Sequence, residues 1–252
     1  MTSNAANFDF SGARVLVTGG TSGIGAGIAA AYLAAGAEVT ITGTRADATD
    51  YDADLSGYRY LQLDVENMAQ IDAVAQAQTQ LDVLVNNAGI ALPAMGLDEW
   101  DPDNFARAIN IHLVSGFRLA RGCRDVLRAS GFVGGGSVIG VASMTSYFGI
   151  GMLPGYGAGK TGLLGATRAM AMEWGALGIR ANCVAVGLCE SRMTSATIAN
   201  PEWSAPTLAR TPLGRHGVPG DVAGAVLFLS SAQASWITGQ TLPIDGGYSV
   251  AG

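Results

Sequence analysis

The sequence predicts a three-layer α/β fold, in which a doubly wound, mainly parallel sheet of seven strands carries helices on both faces. Two observations predict it. Short runs rich in valine, isoleucine and leucine recur along the chain, and segments with the apolar spacing of a helix separate most of them. Such runs are typical of parallel strands buried on both sides, and their alternation with helices is typical of a doubly wound sheet.

The apolar runs and the helical segments follow one another in a regular order. Strands are predicted over residues 14–18, 38–42, 58–63, 83–86, 137–141, 180–185 and 241–244. Helices are predicted over residues 24–35, 68–78, 103–127, 156–177 and 221–229.

Two segments break this order. Residues 46–57 are acidic and lack apolar periodicity, so we expect a loop or a reduced helix in this crossover. Residues 191–215 contain three prolines and little periodicity, yet they carry apolar side chains such as Met193, Trp203 and Leu208. This segment is interpreted either as a flexible lid over a ligand site or as an ordinary surface loop.

Composition narrows the class of protein. The chain has 252 residues, 49% hydrophobic and 13% charged, which predicts one domain over residues 1–252. It has no apolar run of about 18 residues and a polar opening segment, so we expect a cytoplasmic protein without a membrane span. A net charge of −6 opposes binding to nucleic acid or anionic lipid. Three cysteines without a C-x-x-C pair and two distant histidines predict no metal site, which leaves small molecules or copies of itself as partners.

A glycine-rich turn follows the first predicted strand. Residues 18–25 read Thr-Gly-Gly-Thr-Ser-Gly-Ile-Gly, with G-x-x-x-G-x-G spacing, and lead directly into a helix. Glycines there let the backbone approach a pyrophosphate at the helix N-terminus, where free N–H groups and the helix dipole favour negative charge. A plain tight turn is the alternative, because 36 glycines make chance clusters common. The predicted contacts of a dinucleotide are Gly19, Thr21, Ser22, Gly23, Ile24 and Gly25.

The end of the second predicted strand bears on the choice of nucleotide. An acidic residue there usually binds the ribose 2′-hydroxyl of NAD, but this sequence has Thr44 and Arg45 and no carboxylate before Asp47. Hydroxyl groups and an arginine suit a 2′-phosphate, so the sequence favours NADP(H) over NAD(H). The alternative is that Arg45 is simply solvated and that a nearby acid turns inward.

Three residues have the chemistry for proton transfer. Tyr156 and Lys160 lie four residues apart on one face of a predicted helix, and Ser143 follows the strand 137–141. A free tyrosine has a pKa of about 10, and lowering it towards 7 requires about 4 kcal/mol of extra stabilisation of the phenolate. A nearby ammonium and an oxidised nicotinamide can supply much of this. Tyr156 is therefore the predicted acid/base, and Ser143 the predicted donor to the substrate oxygen.

An alternative without function is that Tyr156 is a core residue and Lys160 a solvated helix charge. Lys160 is the only lysine in the sequence, and a tyrosine precedes it by four positions. This spacing favours the functional interpretation.

Taken together, these residues resemble the classical short-chain dehydrogenase/reductase family over essentially the whole chain. Residues 18–25 resemble its glycine motif, Asp64 and Val65 its adenine contact, residues 86–89 (Asn86, Asn87, Ala88 and Gly89) its sheet-stabilising motif, and residues 211–220 and 245–247 its C-terminal part. The resemblance implies a Rossmann fold and a catalytic tetrad of Asn110, Ser143, Tyr156 and Lys160. It also implies that the lysine binds the nicotinamide ribose and that the asparagine holds a water.

The sequence departs from the family pattern after the sixth strand. The usual Pro-Gly is Val186-Gly187, which restores a backbone N–H and loosens the constraint on φ, and the threonine expected four residues after the glycine is Ser191. The resemblance implies cofactor contacts at Val186, Gly187, Leu188 and Ser191, and also at Asn87, Ala88 and Gly89.

The resemblance further implies a homotetramer, or a dimer, with helices 103–127 and 156–177 facing symmetry mates. Arg118, Arg121 and Arg128 lie broadly on one side of the first of these helices. They are interpreted either as pairing across that contact or as a solvated face.

The expected activity is that of an NAD(P)-dependent carbonyl reductase or secondary-alcohol dehydrogenase acting on a largely apolar small molecule. The side chains expected near its pocket are Met95, Phe148, Met152, Leu188, Met193 and Trp203, although most of them are equally compatible with a core position. Two rivals remain: a reductase of 3-oxoacyl thioesters on acyl carrier protein or coenzyme A, and a protein that binds NAD(P) as a sensor or scaffold without turnover. The substrate, its stereochemistry and the direction of the reaction stay open.

Overall fold

The computed structural model describes residues 8–251, and residues 1–7 of the polar opening segment lie outside it. Seven strands form one sheet: β1 (Arg14–Val17), β2 (Glu38–Gly43), β3 (Arg59–Gln62), β4 (Val83–Asn86), β5 (Gly136–Ser143), β6 (Ile179–Val186) and β7 (Thr241–Ile244). Their order is β3-β2-β1-β4-β5-β6-β7, and every pair is parallel. The predicted doubly wound fold is confirmed.

The helices cover both faces of this sheet. They are α1 (Gly23–Ala34), α2 (Met68–Gln76), α3 (Pro102–Ile109), α4 (Ser115–Arg128), α5 (Pro154–Trp174), α6 (Ser195–Ala199), α7 (Pro201–Ala209) and α8 (Pro219–Ser230). The pair α1 and α8 packs on one face, and α2, α4 and α5 pack on the other. None of the helices within residues 8–251 is both long enough and apolar enough to cross a membrane.

The two cores follow from the alternation of side chains along each strand. Val15 and Val17 of β1 point into the core beneath α1 and α8, whereas Leu16 between them joins the core beneath α2 and α4. All three are fully buried. Burying each such side chain contributes about 1.5–3 kcal/mol, so a central strand needs apolar residues on both sides.

The predicted helix 103–127 contains a wide turn. Residues Asn110–Val114 form a π-helical turn between α3 and α4, in which the N–H of Ser115 bonds to the carbonyl of Asn110. Such a turn holds an extra residue and shifts the phase of the side chains that follow. This feature places one side chain of the candidate site.

The two segments that break the order behave differently. Residues 46–57 contain only a short 3-10 turn, Ala48–Asp50, as predicted. Residues 191–215, expected to have little regular structure, contain α6 and α7. Asn200 caps α7 by accepting from the N–H of Glu202, and Pro201 occupies the first helical position, where a proline costs no hydrogen bond.

The strand order reverses at β1. The chain runs outward from β1 through β2 to β3, crosses back to β4 on the other side of β1, and continues outward through β5 and β6 to β7. Loops at the carboxyl ends of β1 and β4 therefore diverge and leave a crevice, which is where doubly wound sheets bind ligands.

Candidate active site

The turn after β1 is built so that another group can approach its backbone. Gly19 and Gly23 have φ values of +66° and +55°, which favour glycine. A Cβ on Gly25 would lie 2.3 Å from the carbonyl oxygen of Gly19 and 2.5 Å from Nδ2 of Asn87. The turn is thus tighter than any side chain at Gly25 would allow.

The N-terminus of α1 is open towards the crevice. Ser22 is the N-cap residue in extended conformation, yet its side chain makes no capping hydrogen bond, and the first turn contains no acidic residue. The N–H groups of this turn and the helix dipole are therefore available to an anion. The residues of the turn fit a pyrophosphate, as the sequence predicts.

Hydrogen bonds tie this turn to the end of β4. The hydroxyl of Thr18 accepts from the N–H groups of Asn87 and Ala88 at 2.9 and 3.0 Å. Nδ2 of Asn87 donates to the carbonyl of Thr18 at 2.9 Å. Nδ2 of Asn86 donates to the carbonyl of Gly116 at 3.0 Å and so connects β4 to α4. These bonds connect the glycine-rich turn, the end of β4 and α4.

Arg45 lies beside an aromatic pair that the sequence did not predict. Its guanidinium stacks on the ring of Tyr51, 4.9 Å from the centroid. The backbone N–H of Arg45 donates to the Tyr51 hydroxyl at 3.0 Å. The hydroxyl of Tyr60 donates to the carbonyl of Arg45 at 2.5 Å. The carbonyl of Thr44 accepts from Gln62. The backbone at the end of β2 is therefore held in place, while the Arg45 residue itself is exposed.

Asp64 and Val65 follow β3 on the same side of the crevice. One carboxylate oxygen of Asp64 accepts from the N–H of Glu66 at 2.9 Å, and the N–H of Asp64 donates to Gln70. Val65 packs against the apolar residues around Leu92 and Ile111. An exposed acceptor next to an apolar side chain suits an adenine ring with its amino group.

Ser143 is the last residue of β5 and is buried. Its Oγ accepts from the N–H of Thr145 at 3.1 Å, so the hydroxyl proton is free to be donated elsewhere. Burial raises the pKa of the Tyr156 phenol, and hydrogen bonding with the Ser143 side chain opposes that rise.

Tyr156 lies in the first turn of α5, which a distant carboxylate caps. Oε2 of Glu99, which is fully buried, accepts from the N–H of Tyr156 at 2.8 Å. Burial raises the pKa of the phenol, Ser143 lowers it, and the charge of Glu99 raises it further. Stabilising a phenolate here therefore requires additional positive charge.

Lys160 is one turn further along α5 and is only 6% exposed. Its Nζ donates to the carbonyl of Val141 in β5 at 2.6 Å and lies 5.8 Å from the centroid of the Tyr156 ring. Burial lowers the pKa of Lys160 to about 8. The structure thus brings Ser143, Tyr156 and Lys160 together at the carboxyl end of β5.

Asn110, the fourth residue expected here, is exposed at the start of the π-helical turn. His112, two positions later, is buried instead, with its ring 4.6 Å from the Tyr156 ring at an angle of 77°. The only signal in the sequence that pointed to it is that the chain has just two histidines. Glu99 carries no sequence signal at all.

The segment after β6 closes over the glycine-rich turn. The N–H of Gly187 donates to the carbonyl of Ile244 at 3.0 Å, and a Cβ on Gly187 would lie 2.8 Å from Cα of Asp245. Val186, at the usual proline position, is buried at the end of β6. A Cβ added to Gly23 would lie 3.1 Å from Cβ of Ser191. Gly23 and Ser191, both expected to contact the cofactor, are therefore neighbours. Leu188 is half-buried and accepts from the N–H of Gly217.

The side chains expected around a substrate do not form one enclosed pocket. Met95, Met152 and Trp203 are exposed, and Met193 is at the border of exposure. Phe148 packs with Tyr248, and the guanidinium of Arg210 lies over both rings. A groove of about 410 Å³ runs beside Phe148, Trp100 and Thr145 but is not lined by Ser143 or Tyr156.

Two further expectations concern metals and the helix surface. Within residues 8–251, no group of three or more His, Cys, Asp or Glu side chains is placed to hold a metal ion. Arg118, one of the three arginines on α4, forms a bidentate ion pair with Asp72 of α2 at 2.5 and 2.7 Å. Arg118 is therefore already paired with a carboxylate of its own chain.

Comparisons with known proteins agree with this geometry. Residues 19–249 match a family model described as enoyl-(acyl carrier protein) reductase. The chain is 34% identical over 243 residues to a 3α-hydroxysteroid dehydrogenase of Mediterraneibacter gnavus, covering 92% of this chain and 94% of that protein. It is 36% identical over 249 residues to the 3-oxoacyl-(acyl carrier protein) reductase FabG of Escherichia coli, covering 95% and 98%.

A solved structure shows the same fold. The gluconate 5-dehydrogenase of Burkholderia cenocepacia, in complex with NADP and tartrate, superimposes with a TM-score of 0.85 at 30% identity, covering 98% of each chain.

The doubly wound sheet and the serine, tyrosine and lysine at its carboxyl edge define an oxidoreductase that acts on CH–OH or C=O groups. The chain belongs to the classical short-chain dehydrogenase/reductase family.

Proposed function

We propose that the protein is a carbonyl reductase or secondary-alcohol dehydrogenase that uses NADP(H), with Tyr156 as the general acid and base. The observation that carries the proposal is the convergence of Ser143, Tyr156 and Lys160 at the same edge of the sheet as the open N-terminus of α1. A nicotinamide cofactor bound in the crevice supplies or accepts the hydride at the carbonyl carbon.

Each side chain of the site has a separate task. Ser143 accepts from the N–H of Thr145, which holds its oxygen in place, and it donates its hydroxyl proton to the substrate oxygen. Tyr156 gives a proton to that oxygen in reduction and takes it back in oxidation. Lys160 is anchored to Val141 and holds its positive charge near the phenol, where it opposes the effects of burial and of Glu99.

The glycine-rich turn and its neighbours would hold the cofactor. The open N-terminus of α1 with residues 19–25 supports binding of the pyrophosphate, and Asp64 and Val65 support binding of the adenine. Residues 87–89, 186–188 and 191 border the nicotinamide side of the crevice in this proposal.

The preference for NADP(H) rests on Arg45 and Tyr51. A guanidinium stacked on an aromatic ring keeps its edge donors free, and these suit the 2′-phosphate. The neighbouring N–H of Asp47 donates to the carboxylate of Asp50, so that carboxylate is engaged within its own turn. The presence of NADP in the related gluconate 5-dehydrogenase supports the same choice.

We also propose that residues 191–215 act as a lid and that the protein assembles as a homotetramer or dimer through α4 and α5. The contact between Ser191 and Gly23 supports the first proposal, because it connects the start of the segment to the cofactor turn. Light scattering of the purified protein tests the second.

A reductase of 3-oxoacyl thioesters is the second candidate, which the similarity to FabG favours. The acidic chain, with a net charge of −6 and one lysine, gives an acyl carrier protein little basic surface on which to dock.

The test is a panel of apolar ketones, sugar acids, secondary alcohols and a 3-oxoacyl thioester, followed at the nicotinamide absorbance with NADPH and NADH. Turnover of ketones or alcohols, lost by about 10²-fold or more in Tyr156→Phe, supports the proposal. Preferred turnover of the thioester supports the second candidate. Binding of NADPH without turnover of any substrate would identify a sensor or scaffold and would overturn both.

A further inference from the structure

His112 is a buried imidazole in contact with the proposed acid/base. It lies in the π-helical turn, 5% exposed, with its ring edge-to-face on Tyr156 at 4.6 Å. Two glycines make room for it. A Cβ on Gly89 would lie 2.8 Å from its Cε1, and a Cβ on Gly159 would lie 3.0 Å from its own Cβ. The surrounding chain is therefore shaped to accept this ring.

The hydrogen bonds of the imidazole define its tautomer. Nε2 lies 2.8 Å from the carbonyl oxygen of Ile90, which can only accept, so Nε2 carries the proton. Nδ1 is then an acceptor, and it has no hydrogen-bond partner within residues 8–251. Burial, helped by the charge of Lys160, lowers the pKa of His112 to about 3, which keeps the ring neutral.

A small cavity lies beside the His112 residue. Its volume is about 20 Å³, and His112, Asn86 and Lys160 are among the residues that line it. Oδ1 of Asn86 also lacks a hydrogen-bond partner in the described part of the chain. A water needs about 10–15 Å³ of such volume and two to four polar partners, which these three side chains supply.

The balance of donors and acceptors fits one water. Its two protons can be given to Nδ1 of His112 and Oδ1 of Asn86, and its oxygen can accept from the ammonium of Lys160. Lys160 uses one of its three protons for Val141, so it has donors to spare.

We propose that His112, and not Asn110, is the residue that positions the Tyr156 phenol and the Lys160 ammonium, as a neutral imidazole whose Nδ1 accepts a hydrogen bond from a water in this cavity. The inference rests on the proposed function and adds a residue to it. His112 is a positioning residue, since it acts through Tyr156 and Lys160. The titratable groups around it are those two on α5, with Glu99 bonded to the backbone of Tyr156.

The decisive variant is His112→Phe, which keeps an aromatic ring against Tyr156 but removes Nδ1. We expect kcat to fall by about ten- to a hundred-fold while KM for NADPH stays within about two-fold. The ammonium loses a partner, the phenolate is less stabilised, and the ascending limb of the pH profile for alcohol oxidation moves to higher pH. His112→Asn, which returns an amide acceptor, should recover part of the lost rate. Asn110→Ala, at the exposed position, should stay within about two-fold of wild type.

Unchanged kcat and an unchanged pH limb in His112→Phe would overturn the inference, as would a large loss in Asn110→Ala. A measurement on the wild-type chain covers the case in which His112→Phe does not fold. With both histidines ¹⁵N-labelled in the wild-type chain, one ring should remain a neutral Nε2–H tautomer from pH 5 to 9 and change its Nδ1 resonance in Lys160→Met. Two rings that titrate near the ordinary value of about 6.5 would overturn it. A wild type without turnover would instead refute the proposed function, and the resonances would still decide the state of His112.

Discussion

The buried carboxylate of Glu99 accepts a hydrogen bond from the backbone N–H of Tyr156, 57 residues further along the chain, at 2.8 Å. This bond satisfies one of the free N–H groups in the first turn of α5 and holds the backbone of Tyr156, from which the phenol side chain extends. Glu99→Ala should therefore lower the free energy of unfolding by about 1–3 kcal/mol, because it leaves a buried N–H without a partner. Urea denaturation measures this, and a loss below about 0.5 kcal/mol would show that the cap is dispensable.

Glu99→Gln separates the charge from the hydrogen bond. The amide oxygen can still accept from Tyr156, but the negative charge that raises the pKa of the phenol is removed. The pKa of Tyr156 should fall, so the ascending limb of alcohol oxidation should move to lower pH. This direction is opposite to that expected for His112→Phe, and the pH profiles of the two variants check each other.

Lys160 links activity to stability. Burial lowers its pKa from 10.5 to about 8, so the folded state gives up this proton before the unfolded state does. Stability therefore rises with pH between about 8 and 10.5, by about 3 kcal/mol at 1.36 kcal/mol per unit. Lys160→Met lacks this gain, and its stability relative to wild type should fall by a similar amount between pH 7 and pH 10.5. The prediction is wrong if denaturation curves give the same stability difference between Lys160→Met and wild type at the two pH values.

Gly25→Ala tests the approach of the backbone at the glycine-rich turn. The added Cβ would lie 2.3 Å from the carbonyl oxygen of Gly19, so the turn must open at a cost of about 1–3 kcal/mol, with weaker binding of NADPH. Gly165→Ala is the matched control in α5, where nothing lies within 4 Å of the added Cβ. That change should be neutral or stabilise by about 0.5–1 kcal/mol. Thermal melting and NADPH fluorescence distinguish the two.

Arg45→Ala tests the choice of cofactor. Losing the guanidinium stacked on Tyr51 should raise KM for NADPH about ten-fold, which corresponds to about 1.4 kcal/mol, and should leave KM for NADH nearly unchanged. Arg124→Ala is the control, because that arginine pairs with the adjacent Asp125 on α4. If both cofactors weaken equally, Arg45 does not read the 2′-phosphate.

The sequence predicts the sheet well because β-branched runs buried on both faces leave few alternatives. Val83–Asn86 and Thr241–Ile244 coincide with their predicted bounds, and the other strands differ by a few residues at most. Ser143, Tyr156 and Lys160 are recognisable because their spacing and their chemistry coincide. The hydrogen bond of Glu99 is a contact across 57 residues, and no local pattern signals it.

Local sequence patterns do not predict whether Asn110 or His112 faces α5. Two polar residues stand two positions apart in a helical segment, and apolar periodicity does not tell which of them faces α5. A single wide turn in the backbone decides it, and such a turn follows from packing between helices. The three prolines in residues 191–215 led to the prediction of little regular structure. One helix signal is present there, because Asn200 is followed by Pro201 at the start of α7.

The wide turn Asn110–Val114 also limits how the gene can change in length. Removing one residue from a regular α-helix rotates everything beyond it by about 100°, but the wide turn already holds one extra residue. A one-codon deletion there can therefore keep the packing of α3 on α5 and of α4 on α2, while it removes the offset that places the imidazole beside the phenol. Residues 46–57 contain no α-helix whose phase must be kept, so that crossover is the place where insertions and deletions should accumulate among descendants.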